Sequence, residues 1–451
     1  MKTVLVKNSW FSQSDLRLDA SFHLSDGVNT KRIIENYCPY ETVSIKDESK
    51  ELFKGNIHKR VYVDSPENGL MFFTASDLFK ALPESGKYIS KKYSPYLKEL
   101  ELKKDWILIT RSGTLGLVKY STSDYEGFIG TDDLVRIKPL QKKVLGGYMY
   151  AYLSSKYGYG LLTQSGYGGV VKHIEPHHVE KINIPVLPEL KQQEINSLIL
   201  EASKLRVEAH ELLLKAQNIV INSIGFEKKG LGNSVSISAL LDSHQKRFEA
   251  EYFISSGMEI KKHIEGLNHT LLKDVAKPIF RPGIFKRHYV ENGLDFLGGS
   301  DIVRHIPKSD KKLSKAKTKH LEDLKIEEDW ILVTCGGTIG FSVLVNEFMS
   351  GKTASQHILR VIADEIPTGY LFAFMSSKLG LRAIQSFTYG SVIPQIEPHH
   401  LELLPVPILK KDVMNQAHEL IMKYKQNTST AIKNELKAID LVEKEIESWQ
   451  K

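Results

Sequence analysis

The residues best suited to chemistry are two copies of the pentapeptide IEPHH, each ending in paired histidines. His177 and His178 close the first copy, and His399 and His400 close the second. Histidine nitrogens bind zinc, but adjacent side chains of an extended segment point to opposite faces, so neighbouring histidines rarely bind one ion. Neither copy has a cysteine or an acidic cluster nearby. We therefore expect packing and turn roles for these histidines and no metal site.

Other catalytic signatures are weak or missing. An acid–x–Lys triplet like that of nucleases occurs at Glu48-Ser49-Lys50, but the second half of the chain has no counterpart. The sequence contains no GxxxxGK[ST], no GxGxxG opening a helix and no [DN]PP[YF]. The short GTLG and GTIG segments predict turns between strands and not cofactor loops. The pattern indicates a binding protein and not an enzyme.

The same blocks occur twice, in the same order. DWILITRSGTLG from Asp105 matches DWILVTCGGTIG from Asp329, 224 positions later. Chance does not preserve order over five blocks, so the chain is an internal duplication. The other four pairs of blocks, at offsets of 222 to 230 positions, begin at Arg17 and Arg247, Lys46 and Lys273, Gly147 and Gly369, and Tyr167 and Tyr389.

Each copy predicts a mixed α/β unit followed by one long helix. WILITRSGTLGLVKY joins apolar runs by glycine turn signals and predicts strand, turn and strand. GYMYAYLSSKYGYGLL predicts a short buried helix, and INIPVLP and LPVPIL predict short strands. In Glu189–Gly225 and from Lys410 to Trp449, apolar residues then follow alternating three- and four-residue steps, which predicts long helices.

These apolar residues predict a coiled-coil seam, although ordinary bundle core is the plainer interpretation. A helix of about 36 residues spans about 54 Å. The predicted fold is α/β (mixed), with two duplicated units separated by two long antiparallel helices and related by a pseudo-twofold axis. In the first helix the seam is Ile195, Leu198, Ala202, Leu205, Ala209, Leu212, Ala216 and Ile219. In the second it is Val413, Ala417, Leu420 and Tyr424, then, after a register slip near Asn427–Thr430, Ile432, Leu436 and Ile439.

Composition narrows the class of protein. With 451 residues, 41% of them hydrophobic and 25% charged, the chain is typical of a folded soluble protein of two or three domains. Cys38 and Cys335 occupy non-equivalent repeat positions and form no disulfide framework, which favours a reducing compartment. The first residues lack a signal-peptide core, and no apolar run approaches the ~20 residues of a membrane span. We expect a cytoplasmic protein with no membrane partner.

Positive charge is concentrated in one segment. The formal net charge is +7. Between Lys277 and His320, eleven Lys and Arg residues stand against four acidic residues, an excess of seven. This segment is either a solvated lysine-rich loop or part of a nucleic-acid interface.

Together the motifs resemble the specificity subunit of bacterial type I restriction–modification systems. The resemblance rests on RxDAxF opening a unit, on DWILITRSGTLG, and on a glycine-rich stretch before IEPHHVEKINIPVLPELKQQEI, which leads directly into a long helix. The family's usual ending matches Ile182–Glu194 well and Leu404–Gln416 more loosely. The resemblance covers nearly the whole chain and is specific in the order of its blocks.

The resemblance implies two target recognition domains, each reading half of a split, asymmetric double-stranded DNA site. It also implies spacer helices that dock two methyltransferase subunits. Those partners would bind S-adenosylmethionine, and a restriction/translocase partner, where present, would use ATP and Mg²⁺. This chain would be non-catalytic and hold no cofactor. The expected boundaries are 1–188 and 227–408 for the recognition domains, and 189–226 and 409–451 for the helices.

The basic and aromatic loop residues are the candidates for DNA contact. Arginine and histidine suit base edges, and lysine suits phosphates. The equivalence of Lys59/Arg60 with Lys286/Arg287 favours a shared phosphate role, whereas Arg111, which aligns with Cys335, is a candidate for unit-specific base reading. The candidates are Lys59, Arg60, Lys91, Lys92, Arg111, Tyr167, Lys172 and His173 in the first unit, and Lys286, Arg287, His288, Arg304, His305, Lys311, Lys312 and Tyr389 in the second.

Two alternatives from other classes stay open at this point. One is an autonomous DNA-modifying enzyme of unrecognised type, which would act on DNA without a partner. The other is a purely structural assembly adaptor, which would not bind DNA at all.

Overall fold

Two structural units make up the chain, and each unit contains about half of each long helix. The computed structural model describes residues 6, 20–164, 173–227, 237–242, 256–390 and 394–450. Unit 1 comprises Met1–Val207 and Thr430–Lys451, and unit 2 comprises Glu208–Ser429. The mixed α/β prediction is confirmed in both units. None of the helices in the described residues is long and apolar enough to cross a membrane.

Unit 1 is built on two four-stranded sheets. The helices are α1 (Ala20–His23), α2 (Asp26–Tyr37), α3 (Leu97–Leu100), α4 (Gly146–Ser154), α5 (Lys156–Gln164), α6 (Pro176–Glu180) and the start of α7 (Glu189–Ile224). The strands are β1 (Thr42–Ser44), β2 (Ser49–Lys54), β3 (Tyr62–Val63), β4 (Gly69–Phe73), β5 (Tyr88–Ser90), β6 (Ile107–Thr110), β7 (Val118–Tyr120), β8 (Ile129–Gly130), β9 (Leu134–Pro139) and β10 (Asn183–Pro185).

The two sheets of unit 1 pack against each other and are joined by a short turn of the chain. The first sheet has the order β2-β9-β6-β7 and is antiparallel, and the second has the order β3-β5-β4-β8, in which β4 and β8 run parallel. Strand β6 is buried on both faces: Ile107 and Ile109 pack against the core that includes α4, and Leu108 packs against residues of the second sheet. The chain passes from the second sheet to the first between β8 and β9. We call residues 131–133 the crossover turn of unit 1.

Unit 2 repeats this plan. Its helices are α8 (Ile237–Asp242), α9 (Ser256–Glu265), α10 (Leu272–Val275), α11 (Gly299–Ile302), α12 (Thr368–Ser376), α13 (Lys378–Gln385), α14 (Pro398–Leu401) and the start of α15 (Lys411–Ser448). Its strands are β11 (His269–Leu271), β12 (Ala276–Phe280), β13 (Tyr289–Leu297), β14 (Lys312–Leu313), β15 (Ile331–Thr334), β16 (Ser342–Leu344), β17 (Thr353–Ala354), β18 (Ile358–Ala363) and β19 (Pro405–Pro407).

The sheets of unit 2 differ from those of unit 1 mainly at one edge. The first sheet, β12-β18-β15-β16, matches that of unit 1, but the second has only three strands, β14-β13-β17. The long strand β13 pairs in parallel with β17, as β4 does with β8. Residues 355–357 then join β17 to β18 and form the crossover turn of unit 2.

The repeated WIL motif forms the strand–turn–strand that its sequence predicts. In unit 1, β6 leads through the GTLG turn to β7, and Gly113 and Gly116 have φ angles of 71° and 77°. In unit 2, Gly337 and Gly340 have φ angles of 78° and 88°. Such left-handed backbone favours glycine, which explains why both copies of the turn are glycine-rich.

The single helix predicted for GYMYAYLSSKYGYGLL is in fact two helices. Helix α4 ends before Ser155, and α5 begins at Lys156. The two helices approach so closely that a Cβ on Gly158 would lie 2.1 Å from the carbonyl oxygen of Tyr152. Gly380 shows the same 2.1 Å approach to the carbonyl oxygen of Phe374 in unit 2. The bend therefore depends on a glycine that the periodicity of apolar residues did not reveal.

The two long helices are confirmed, and within unit 1 their halves are antiparallel. Helix α7 has 36 residues and α15 has 38. In unit 1, Lys191 pairs with Glu445 at 2.5 Å and Arg206 with Glu435 at 2.5 Å, so residue numbers rise along one helix and fall along the other. In unit 2, Asn427 donates a 3.4 Å hydrogen bond to Glu208.

The predicted seam was correct at every second position of α7. The alanines and Ile195 are buried, but Leu198, Leu205, Leu212 and Ile219 are only half-buried. Ile199, Leu213 and Val220 are buried instead. A wider face is covered because the first half of α7 contacts both α15 and the globular core of its unit. Helix α15 is continuous through Asn427–Thr430, where the sequence predicts a slip in the register of the apolar residues and not a break in the helix.

A buried polar cluster joins the globular part of unit 1 to its helices. Glu435 accepts hydrogen bonds from Arg206 and from the hydroxyl of Tyr150. Lys119 lies beside them, and a cavity of about 20 Å³ between these side chains has room for about one water molecule. Burial, with the nearby Arg206 charge, lowers the pKa of Lys119 to about 8. In unit 2 the residues aligned with Lys119 and Tyr150 are apolar, Val343 and Phe372.

We predict that Lys119→Met stabilises the protein most below pH 8. The ordinary pKa of 10.5 applies to the unfolded chain, so between pH 8 and pH 10 the unfolded state holds more protons at Lys119 than the folded state does. The wild-type free energy of unfolding should therefore rise through this window, by about 2 kcal/mol from this residue. The variant should lack that rise. Urea denaturation at a series of pH values measures the difference.

The exposed Lys98 provides the control, because Lys98→Met removes a lysine that already contacts water. Its unfolding free energy should follow the wild-type pH profile. A constant offset between Lys119→Met and the wild type from pH 7 to pH 10 would contradict the prediction.

Candidate nucleic-acid interface

Each crossover turn is held by one buried arginine. Arg136 on β9 is fully buried and donates hydrogen bonds of 3.0–3.3 Å to four backbone carbonyls, those of Leu100, Gly130, Thr131 and Leu134. Burial lowers the pKa of Arg136 to about 10, so the side chain stays charged at neutral pH. The guanidinium thereby ties both ends of the turn to one point.

Unit 2 contains the same arrangement around Arg360. This fully buried side chain donates to the carbonyls of Leu324, Ala354, Ser355 and Ile358, at 2.5–3.4 Å. All five residues lie 224 positions after their unit 1 counterparts. The two crossover turns therefore share one backbone support.

The hydroxyl at the first turn position is also shared, whereas the next two side chains differ. Thr131 accepts a 3.3 Å hydrogen bond from the backbone N–H of Asp133, and Ser355 accepts one of 3.2 Å from that of His357. The tip of the turn is Asp132-Asp133 in unit 1 and Gln356-His357 in unit 2.

An arginine on a neighbouring loop contacts the tip in each unit. Arg60 lies over the Phe72 ring at 5.4 Å and donates a 2.7 Å hydrogen bond to Asp132. Arg287 lies over Phe296 at 5.5 Å and donates a 3.3 Å hydrogen bond to Gln356. The equivalence predicted for these arginines extends to their contacts. Their electrostatics differ, because the carboxylate of Asp132 neutralises the charge of Arg60, whereas the neutral amide of Gln356 leaves the charge of Arg287 uncompensated.

Arg111 occupies an ion-pair network next to the tip of unit 1. It donates to Asp133 at 2.9 Å and to Glu175, which also pairs with Lys54 at 2.8 Å. Burial opposes ionisation of Glu175, but the hydrogen bonds from Arg111 and Lys54 lower its pKa to about 2. With a side chain only 13% exposed, Arg111 is positioned by two carboxylates.

The corresponding network in unit 2 is smaller. Cys335 replaces Arg111, and burial raises the pKa of its thiol to about 11. Glu397, the counterpart of Glu175, pairs with Arg281 at 2.8 Å and accepts a 2.9 Å hydrogen bond from the Tyr389 hydroxyl. Burial and the charges of Arg287 and Arg281 lower the pKa of the exposed His357.

Six aligned positions make up what we call the turn cluster of each unit. Three cations face three carboxylates in unit 1, whereas two arginines face one carboxylate in unit 2. The charges therefore balance in unit 1 and leave a net +1 in unit 2 when His357 is neutral. The members are Lys54, Arg60, Arg111, Asp132, Asp133 and Glu175 in unit 1, and Arg281, Arg287, Cys335, Gln356, His357 and Glu397 in unit 2.

The paired histidines cap the helices α6 and α14. The ring Nδ1 of His178 accepts a 3.1 Å hydrogen bond from the backbone N–H of Glu175, and His400 accepts one of 3.3 Å from Glu397. IEPHH thus fixes the backbone of the glutamate in each turn cluster. Within the described residues, no group of three or more His, Cys, Asp and Glu side chains could hold a metal ion.

Comparison with known proteins identifies the family. The model of the type I restriction modification DNA specificity domain matches residues 40–216 and 268–439. The chain belongs to this family. It is a DNA specificity subunit of a type I restriction–modification system, a class of subunit that recognises DNA and is not catalytic.

Two solved structures of specificity subunits show distant similarity to the chain. The S subunit of a type I restriction-modification system from M. genitalium has 13% sequence identity and a TM-score of 0.37, over 92% of this chain and 96% of that one. The HsdS subunit from Thermoanaerobacter tengcongensis has 11% identity and a TM-score of 0.27, over 90% and 96%. No curated protein matches the chain in sequence.

The remaining DNA-contact candidates of this specificity subunit lie at different distances from the turn clusters. Lys59 and Lys286 are exposed and precede Arg60 and Arg287, and the carbonyl oxygen of Lys311 accepts a 2.9 Å hydrogen bond from Phe296. These three lie near a cluster. His288, Lys312, Tyr389 and His173 are half-buried. His173 precedes Ile174, and the backbone N–H of Ile174 donates to the carbonyl of Arg111. Tyr167 and Lys172 lie outside the described residues.

Four candidates lie on other loops. The Lys91 ammonium contacts the carbonyls of Pro66 and Glu67, and Lys92 lies 5.1 Å from the Tyr93 ring. Arg304 is half-buried and His305 buried, beyond α11. All the site candidates remain predictions.

Sequence reasoning missed the acidic and amide members of the clusters, together with both buried arginines. It also missed three basic members, Lys54, Arg281 and His357. The search for basic and aromatic residues passed over Asp132, Asp133, Gln356 and the two glutamates. A signal was present in one further pair of blocks, TDDLVRI from Thr131 and SQHILRV from Ser355. Hydrophobic positions and the arginine match there, while two adjacent polar residues differ.

We predict that Arg136→Met lowers the free energy of unfolding by about 3 kcal/mol. The substitution leaves four backbone carbonyls without their donor, and each buried unsatisfied group costs about 1–3 kcal/mol, part of which the removal of a buried charge offsets. Urea denaturation followed by tryptophan fluorescence measures the loss. Lys98→Met, on the surface of α3, should change stability by less than about 0.5 kcal/mol. A stable Arg136→Met variant would show that the guanidinium does not hold the turn.

Proposed function

We propose that this specificity subunit reads an asymmetric DNA site in two parts, one part with each unit. The observation that carries the proposal is the crossover turn, whose support is the same in both units while its tip differs. A common support suits two domains that approach DNA in the same way. Different tips suit two half-sites of different sequence, because base edges are read by hydrogen bonds from individual side chains. The recognition domains would span 1–188 and 227–408.

Charge supports a DNA-facing role for the turn clusters and the basic loops. Lys286 and Lys311 are exposed beside the positively charged cluster of unit 2, within the lysine-rich segment between Lys277 and His320. Phosphate contacts position a protein on the duplex, and base contacts give specificity. Exposed lysines would supply the phosphate contacts, and the cluster would lie nearer the bases.

The helices, expected at 189–226 and 409–451, would space the recognition domains and dock two methyltransferase subunits. Leu190, Leu200 and Leu214 of α7 are 80%, 44% and 40% exposed, which suits a surface that a partner covers. S-adenosylmethionine would belong to those partners, and ATP and Mg²⁺ to a restriction subunit. The chain itself would supply recognition only.

Mapping of methylated adenines tests this function. DNA from cells that contain the gene, with its methyltransferase, should carry a two-part methylated motif that disappears when the gene is deleted. The purified chain alone should bind DNA but transfer no methyl group from S-adenosylmethionine. Methylation by the chain alone would favour an autonomous enzyme, and absence of DNA binding with and without the partner would favour an adaptor.

We predict that a matched deletion in the helices shortens the spacer between the half-sites. Removing Glu208–Glu211 and Gln426–Ser429 deletes four residues from each helix beside the boundary of the units and leaves the rest of each unit unchanged. Each helix becomes about 6 Å shorter and turns by about 40°. The spacer should shorten by one or two base pairs, at about 3.4 Å each, while both half-sites persist. Methylation mapping with the variant complex measures this.

Alanine substitution of the seven of these residues other than Ala209 is the control, since it preserves helix length. The spacer should then be unchanged. A deletion variant that methylates the original motif would contradict the spacing role.

We predict that Lys286→Ala combined with Lys311→Ala weakens binding to all DNA sequences alike. Phosphate contacts carry no sequence information, and each one lost lowers the slope of log K against log salt by about 1. Titration of the complex with specific and unrelated DNA at several salt concentrations measures both effects. Lys262→Ala with Lys437→Ala, at exposed helix positions, should leave the slope unchanged. A loss confined to one base of the motif would assign these lysines to base reading.

A further inference from the structure

The crossover turn combines a rigid support with a replaceable tip. Four hydrogen bonds from one buried guanidinium fix the backbone on both sides of the tip in each unit. The first hydroxyl residue repeats as well. The backbone therefore presents its second and third side chains in the same place whatever their identity.

We propose that the tip residues, Asp132-Asp133 and Gln356-His357, determine which base edge each unit accepts. This inference rests on the proposed reading of DNA by both units and names the residues that distinguish them. The turn joins two sheets, and its two tip positions change in polar chemistry beside an unchanged framework. Surface lysines also repeat between the units, but they lie outside the framework of the crossover turn.

The tip of unit 1 presents hydrogen-bond donors. Asp132 holds Arg60, whose side chain is 35% exposed, and a guanidinium has five N–H donors. The bonds to Asp132 and Thr131 use one terminal nitrogen of Arg60, and Tyr62 is a further neighbour of the guanidinium. An arginine held in this way suits an edge with two acceptors, which is the major-groove edge of guanine.

The tip of unit 2 presents an amide beside an imidazole. Gln356 accepts through its Oε1 from Arg287 at 3.3 Å and from the Ser355 hydroxyl at 3.4 Å, and its Nε2 lies 3.3 Å from Nε2 of His357. An amide oxygen has two lone pairs and an amide nitrogen two hydrogens, so one N–H of Gln356 remains while both lone pairs of its oxygen are engaged. This single donor suits a base-edge acceptor and differs from the guanidinium of unit 1.

A third residue must change with each tip. Asp133 forms an ion pair with Arg111 in unit 1, whereas His357 lies beside Cys335 in unit 2. The backbone contact is the same in both units: the N–H of Arg111 donates to the carbonyl of Asp133, and that of Cys335 donates to the carbonyl of His357. Placing histidine at position 133 would remove one of the two carboxylates that position Arg111. The exchangeable element is therefore residues 111, 132 and 133 in unit 1, and 335, 356 and 357 in unit 2.

The test exchanges this element inside the complete methyltransferase complex. Arg111→Cys, Asp132→Gln and Asp133→His together give unit 1 the side chains of unit 2. Methylation mapping should show a new base at one or two adjacent positions of one half-site, with the other half-site and the spacer unchanged. The reciprocal variant, Cys335→Arg with Gln356→Asp and His357→Asp, should alter only the other half-site.

A milder variant keeps the test valid where the triple exchange does not fold. Asp132→Asn preserves the shape of the side chain but weakens its hold on Arg60. Discrimination at one base pair should fall by about tenfold or more, with thermal unfolding unchanged. An unaltered motif and unaltered discrimination in these variants, or an equal loss of affinity for all sequences, would overturn the inference.

The wild-type complex separates this inference from the proposed function. A wild-type complex that methylates no two-part motif would refute the proposed function itself. A two-part motif in the wild type that persists in folded variants would refute only the role of the tips.

Discussion

A planar guanidinium buried against four backbone carbonyls is the interaction on which each recognition unit depends. In unit 1, Arg136 joins the end of one sheet to the start of the other, and Arg360 does so in unit 2. Within the described residues, no carboxylate is hydrogen-bonded to either arginine. Each guanidinium stays charged because the dipoles of the backbone carbonyls solvate it. Lysine has donors around a single point and could not reach four carbonyls spread along two strand ends. The sheets, the turn and the residues around it all depend on this geometry.

The two turn clusters use charge in different ways. In unit 1 every cation has a carboxylate partner, so the cluster is neutral and its geometry is fixed by ion pairs. In unit 2 the removal of two carboxylates and one arginine leaves the surroundings of Arg287 positive. A neutral, ordered surface adds little to long-range attraction of DNA, whereas a positive one raises the rate of encounter. The excess of lysines in the second half of the chain therefore lies where the cluster is also positive.

Local patterns in the sequence predicted most of the fold and only part of the site. The duplication, the strand–turn–strand around GTLG and GTIG, the short strand β10 and the long helices follow from periodicity and turn chemistry. The break at Ser155 did not, because it depends on a close contact made by Gly158. Arg111 was singled out as a residue that differs between units, but its partner Glu175 lies 64 positions away. Pairings over that distance are decided by the packing of the sheets and not by local sequence.

Because each long helix is divided between the units, the two units can complete their folding only at different stages of synthesis. Unit 1 includes Thr430–Lys451, which are synthesised after the whole of unit 2. Ala438, Val442 and Ile446 belong to the core that also contains Ile107 and Ile109 of β6. On the ribosome, the first globular half must therefore wait with an uncovered apolar surface until Thr430–Lys451 have been synthesised, whereas unit 2 can close earlier. A premature stop near residue 430 would spare the second reader, whose sequence immediately precedes it, and would damage the first, whose strands were completed hundreds of residues before.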